Sequence, residues 1–98
     1  MSEAQDPRLD PLWKALSTVI DPEIGLDIVT LGLVYSVTIE GDIGHVTHTL
    51  TTPGCPMEHY ITQGIHDAAS FVDGLDHIET HLVWDPAWHS GMIAPGAF

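Results

Sequence analysis

The residue with the greatest chemical potential in this sequence is its single cysteine, Cys55, set between Gly54 and Pro56 in the break Thr51-Thr-Pro-Gly-Cys-Pro56. An apolar-periodic run follows, which places Cys55 at the mouth of a helix, where exposed backbone N–H groups and the helix field favour a thiolate. Such a thiolate is a nucleophile or a ligand for a soft metal such as iron or zinc; the alternative is a small buried hydrophobe. One cysteine makes no internal disulfide, and one thiolate does not by itself hold an iron–sulfur cluster or a tetrahedral zinc. Any such metal needs carboxylates, imidazoles, a second chain or a partner. His59, four residues on, can share the helix face with Cys55 and is the imidazole candidate for a metal ligand. His66 reads as a surface residue. His45 and His48 are an odd number of residues apart on a strand, so they point to opposite faces and do not chelate one ion from that strand.

Carboxylates gather in a second place. Asp21, Glu23 and Asp27 surround a loop that could approach the sheet end bearing Cys55, supplying hard ligands or a base for the thiol. Equally, they serve as a helix terminus, Asx turns and ordinary solvated groups. Thr51 and Thr52 either hydrogen-bond in the cysteine turn or only close it. Near the other end, Trp84, Trp88, Met92 and Phe98 concentrate apolar mass in a Pro- and Gly-containing stretch. Exposed, Trp84, Trp88 and Met92 form an interaction surface for another protein; tucked in, they complete a small core.

The elements that must position these residues follow from periodicity. Residues 1–9 are polar and expected to be flexible; residues 10–98 form the domain. Asp10-Pro11 supplies a helix cap and first residue, and Leu12, Trp13, Leu16, Val19 and Ile20 lie on one helical face until Pro22 ends it. Asp21-Pro-Glu-Ile-Gly25 is a turn, and the apolar residues 26–33, interrupted by Asp27 and Gly32, are not settled by periodicity. Strands over 34–40 and 44–50, separated by Gly41-Asp-Ile-Gly44, form an antiparallel hairpin. A second helix carries Met57, Ile61, Ile65, Ala68 and Val72 inward and stops at Asp73-Gly74; Gly64 weakens it by up to about 1 kcal/mol. A third strand runs over 77–84, with Ile78, Thr80, Leu82 and Trp84 on one side. The order helix-strand-strand-helix-strand predicts a compact single α+β domain with a small, mostly antiparallel three-stranded sheet.

The 98 residues leave no room for a second core. Fourteen Asp and Glu against two Lys and Arg give a formal charge of -12, and both basic residues, Arg8 and Lys14, fall in the first fourteen positions. That balance argues against nucleic acid partners and against anionic membrane surfaces. A salt-rich cytoplasm is one explanation for the acidity. The beginning has no basic region followed by an apolar run, and no stretch approaches the ~20 apolar residues of a membrane span. The expectation is a soluble cytoplasmic protein.

Asp21-Pro-Glu-Ile-Gly25 with Ile28-Val-Thr-Leu-Gly-Leu-Val-Tyr35, then Leu50-Thr-Thr-Pro-Gly-Cys-Pro56, then Leu82-Val-Trp-Asp-Pro-Ala-Trp88, resemble the MIP18 family, formerly DUF59, the SufT- or PaaD-like iron-sulfur cluster assembly domain. The resemblance runs from about residue 12 to Met92. It implies a compact α+β fold with a three-stranded sheet and a non-catalytic role in maturing iron–sulfur proteins. By motif match Cys55 is the reactive thiol, Asp21 and Glu23 carry the acidic DPE motif, and Thr52 precedes Pro-Gly-Cys; the family pattern implies that these meet at one surface site. Cys55, Glu23 and His59 are then the candidate ligands for transient iron or an iron–sulfur cluster. The implied partners are apo iron–sulfur proteins or an assembly scaffold, with a homodimer as a means of supplying two thiolates. Lacking the later cysteines of oxygenase-associated members, the chain resembles the bare domain. Two other readings stay open: a metal-independent adaptor or structural interaction protein, and a small cysteine-dependent enzyme with His59 or His89 as base.

Overall fold

The computed structural model describes residues 6–51 and 57–94. Helix α1 spans Leu9–Leu16, strands β1 and β2 span Val34–Glu40 and Ile43–His48, helix α2 spans Met57–Ala69, and strand β3 spans His77–Leu82. A single 3-10 turn follows at Ser90–Met92. The predicted element order and the α+β class are therefore present.

Helix α1 begins one residue before the expected Asp10 cap and ends four residues before Ile20. At its start Arg8 holds the capping position without a side-chain cap bond. Asp6 organises the entry instead: its Oδ1 accepts the Arg8 backbone N–H at 2.9 Å, and its Oδ2 accepts the guanidinium at 2.6 Å. Arg8 Nη1 also donates to the Gly74 carbonyl at 2.7 Å, tying the entry to the turn after α2. Pro11 is the third helical residue, among the first four that have no intrahelical acceptor, so its missing donor costs nothing there. At the far end the Ser17 and Thr18 hydroxyls donate to the Lys14 and Ala15 carbonyls, local bonds that compete with continuation of the helix. Val19 and Ile20 then leave it, and Ile20 makes an antiparallel bridge to Asp27.

The sheet is mixed, in the order β1-β2-β3. β1 and β2 form the expected antiparallel hairpin, with Val37 opposite Val46 and Thr38 opposite His45. β3 pairs with β2 in parallel, where a mostly antiparallel sheet was expected. Parallel neighbours need a long crossover, and the connection that begins after β2 and contains α2 supplies it. Alternation along β2 sends Gly44, Val46 and His48 into the core and leaves His45 and Thr47 half-exposed on the opposite face.

Both helices cover the first of these faces. Leu12 and Leu16 of α1, Ile61, Ile65 and Ala69 of α2, and Val46 of β2 form the centre, joined by Ile28, Leu31 and Leu33 from the irregular segment before β1. Residues 26–33 resolve into turns that insert Ile28, Leu31 and Leu33 into the core. At Gly64 an added Cβ would lie 2.9 Å from Val19 Cγ1, so the glycine lets the chain leaving α1 pass close against α2. No helix among the described residues is long and apolar enough to cross a membrane.

Candidate functional site

The acidic turn is built by Asp21 itself. Its side chain is buried, and its Oδ1 accepts the Glu23 backbone N–H at 2.9 Å, forming an Asx turn. The Asp21 carbonyl accepts the backbone N–H of Gly25 at 2.7 Å, and Gly25 adopts φ +85° to close the turn. This fixes the loop as a compact hairpin-like finger that presents Glu23 and Ile24 outward, both exposed. Asp27 takes no part in a shared carboxylate group. Its two oxygens accept the backbone N–H and the hydroxyl of Thr30, a turn closure within its own segment.

Cys55 and Thr52 lie outside the described residues, but the segments flanking them do not. A relay of backbone hydrogen bonds links the acidic turn to the chain entering the cysteine loop: Ile28 N to Val19 O at 2.9 Å, Leu33 N to Ile28 O at 3.0 Å, and Thr49 N to Leu33 O at 2.8 Å. From the other side, Ile20, the residue before Asp21, lines one groove with His59 and Tyr60 from the first turns of α2. Ile20, at the base of the acidic turn, thus shares a groove with the described chain that follows the cysteine loop. His59 is exposed at this groove. Glu58, also in the first turn, adds a further carboxylate where the helix field favours negative charge.

His48, expected only to face away from His45, stands buried. Its side chain is 1 % exposed, and among the described residues neither ring nitrogen finds a side-chain hydrogen-bond partner, nor does the buried Thr49 hydroxyl next to it. Burial, opposed first by the adjacent Thr49 backbone and then by the Glu58 carboxylate, holds the imidazole below the ordinary histidine pKa. A buried polar pair left unpaired is costly, and here it stands at the end of β2 that leads into the cysteine loop. The signal available in the sequence was the alternation of β2, which puts His48 on the same side as Val46. The groove beside His59 was also missed: Ile20, Tyr60 and Phe71 are exposed apolar side chains along it, and Phe71 is 86 % exposed.

The aromatic tail packs for the most part. Trp88 Nε1 donates to the Leu31 carbonyl at 2.7 Å, and its ring rests on the core. The Tyr35 hydroxyl donates to the Pro86 carbonyl at 2.7 Å and approaches Met92 Sδ at 3.8 Å. Ala94 N donates to the Thr30 carbonyl at 2.8 Å. Trp88 and Met92 are half-buried by these contacts, and Trp84 is the large residue of the three left outside, 42 % exposed.

Comparison with known proteins now adds to this geometry. A family model described as "Iron-sulfur cluster assembly protein" matches residues 10–80, a span that takes in the acidic turn, the cysteine loop and α2. The chain is similar to the Fe-S protein maturation auxiliary factor YitW of Bacillus subtilis, with 44% identity over 75 residues, 76% of this chain and 74% of the relative. It is also similar to the Fe-S protein maturation auxiliary factor SufT of Staphylococcus aureus, with 39% identity over 77 residues, 78% of this chain and 88% of the relative. Among solved structures, a domain of unknown function (DUF59) from Bacillus anthracis superposes with a TM-score of 0.86 at 38% identity, covering 93% of this chain and 88% of that one.

Proposed function

This chain belongs to the iron-sulfur cluster assembly protein family, and we propose that it works as a non-catalytic maturation factor that helps deliver clusters to apo-proteins through Cys55. The observation that supports this reading is the chain of backbone hydrogen bonds that runs from Val19 and Ile28, which flank the acidic turn, through Leu33 to Thr49, where the chain leading to the thiol begins. In this mechanism Asp21 is a positioning residue: its buried carboxylate is spent on the Glu23 backbone N–H and fixes the direction in which Glu23 projects. Glu23 and His59 stand with Cys55 as the ligands of transient iron or of a cluster in transfer, and Thr52 is the supporting residue that the family pattern puts before the thiol.

The cargo is the substrate of such a factor. One thiolate with an exposed carboxylate and an imidazole is an incomplete, mixed donor set, and incompleteness suits handover because a full set of thiolates would hold the metal. The missing ligands come from the recipient apo-protein, from an assembly scaffold, or from Cys55 of a second copy in a homodimer. Trp84, the exposed member of the set, is the centre of the interaction surface, with the half-buried Trp88 and Met92 contributing less. The work is placed in the cytoplasm, where a free thiol stays reduced.

The test is transfer to a recombinant apo-ferredoxin from a loaded scaffold, followed by the recovery of its visible absorbance. The chain is expected to accelerate recovery, and Cys55→Ala to abolish that acceleration while unfolding at an unchanged temperature. Acceleration by Cys55→Ala equal to that of the natural chain would remove the thiol from the mechanism. The exposed apolar groove of Ile20, Tyr60 and Phe71 favours a second reading, a metal-independent adaptor that brings client and carrier together, and that result would select it.

A further inference from the structure

We propose that the face of the sheet turned away from the helices carries a second metal site, for a divalent transition ion of the Zn2+ or Fe2+ kind, built from His45, His81 and Glu79. The three residues come from neighbouring strands. His45 of β2 stands directly opposite Glu79 of β3 in the parallel register, and His81 is the next outward-facing residue of β3. Because Glu79 and His81 are two residues apart on β3, they share the face of His45 and both reach its imidazole.

The geometry is that of ligand atoms around one ion. His45 Nδ1 and His81 Nε2 are 3.2 Å apart, and His45 Nδ1 lies 3.7 Å from Glu79 Oε1. One donor atom from each of the three residues falls within 4.8 Å of the others. Atoms bound tetrahedrally at about 2.0–2.1 Å from a zinc ion are roughly 3.3 Å apart, so the imidazole pair already has the spacing of one tetrahedral edge. The ring planes are 20° apart with centroids 5.5 Å apart, and the two facing nitrogens form a hydrogen bond that a bound ion would replace with small rotations of the rings. The other nitrogen of His45, Nε2, lies 3.8 Å from the exposed Glu40 Oε1, close enough for electrostatic attraction but beyond hydrogen-bond distance. Two imidazoles and a carboxylate select borderline divalent ions over Mg2+ and Ca2+, which prefer all-oxygen cages. A formal charge of -12 raises the local concentration of any such cation.

This site is independent of Cys55 and of the transfer reading above. Its physical consequence is a clip across the β2–β3 pairing, so ion binding stabilises the folded chain by mass action. The experiment uses Zn2+ alone as the probe, on the full chain carrying Cys55→Ala so that the thiol takes no part, read by isothermal titration and by melting temperature with and without the ion. The expected result is one Zn2+ per chain and a raised melting temperature, with affinity at least about tenfold weaker after His45→Ala or His81→Ala. His77→Ala, a histidine of the same strand outside the cluster, is expected to leave both readouts unchanged. Imidazole nitrogen resonances of His45 and His81 are expected to shift together as Zn2+ is added. Zinc binding indifferent to His45→Ala and His81→Ala, or the absence of a zinc-dependent rise in melting temperature, would overturn the proposal. Because the natural side chains remain in the Cys55→Ala protein, misfolding of a histidine variant leaves that second readout decisive.

Discussion

Replacing Gly32 by alanine should cost this protein a large part of its stability, and the reason lies in how the tail docks. Gly32 adopts φ +77°, and a Cβ added there would collide with the Met92 carbonyl oxygen and stand 3.0 Å from Met92 Cβ. The Met92 backbone has little freedom to withdraw: Met92 N donates to His89 O, Ala94 N donates to Thr30 O, and Trp88 Nε1 donates to Leu31 O. Left-handed backbone in a non-glycine residue costs about 1–2 kcal/mol. Displacing the carbonyl sacrifices one or two of these hydrogen bonds at about 1 kcal/mol each. The sum is about 2–4 kcal/mol, a fall in melting temperature of roughly 10–25 °C for a domain of this size. Gly25→Ala supplies the control, since Gly25 has φ +85° and an added Cβ meets nothing within 4 Å, so only the backbone cost of about 1–2 kcal/mol applies. Urea unfolding followed by tryptophan fluorescence reads both variants. If Gly32→Ala were no more destabilised than Gly25→Ala, the docked tail would not be part of the stable fold.

Two further expectations concern the core. Because burial depresses the His48 pKa from its ordinary value of 6.5, the folded chain binds fewer protons than the unfolded one as pH falls below about 6.5. Stability is then lost on acidification at up to ~1.4 kcal/mol per pH unit until the folded-state pKa is passed. His48→Leu should flatten that loss between pH 7.5 and 5.5 in urea titrations, and identical slopes for the two proteins would contradict it. At Gly64, alanine gains up to about 1 kcal/mol of helix propensity but crowds Val19, a cost of about 1–3 kcal/mol. Gly64→Ala should therefore destabilise the natural chain and stabilise the Val19→Ala background, whereas simple additivity in the double-mutant cycle would refute the contact.

What the sequence disclosed was local. The alternation of Val37 and Ile39 and the Gly41 turn marked the hairpin, and the spacing of Ile61 and Ile65 marked the buried face of α2. The same periodicity ran α1 too far, because Val19 and Ile20 continue the apolar spacing but are claimed by Gly64 and by the Asp27 bridge. Strand direction was beyond reach: residues 77–82 alternate in the same way whether β3 runs parallel or antiparallel to β2. At the acidic turn the Asx character of Asp21 was readable from its type and from Pro22, and the structure supplies the bond. The His45–His81 contact spans 36 positions between two strands, so spacing along β2 excluded His48 as a partner for His45 and could not reveal His81. Trp88 closing on the Leu31 carbonyl is likewise a contact across 57 positions. The expected convergence of Cys55 and Thr52 with Asp21 and Glu23 rests on the family pattern, since both loop residues lie outside the described structure.

The central claim is that Cys55 handles iron or a cluster, and anaerobic reconstitution tests it most directly. The natural chain and Cys55→Ala are incubated with ferrous iron and sulfide, desalted, and compared by visible absorbance and by metal per chain. The expected result is sulfide-dependent absorbance retained by the natural chain and absent from Cys55→Ala, with any iron held by His45, His81 and Glu79 present equally in both and colourless. Equal absorbance in the two proteins, or none in either, would contradict direct handling of a cluster by the thiol.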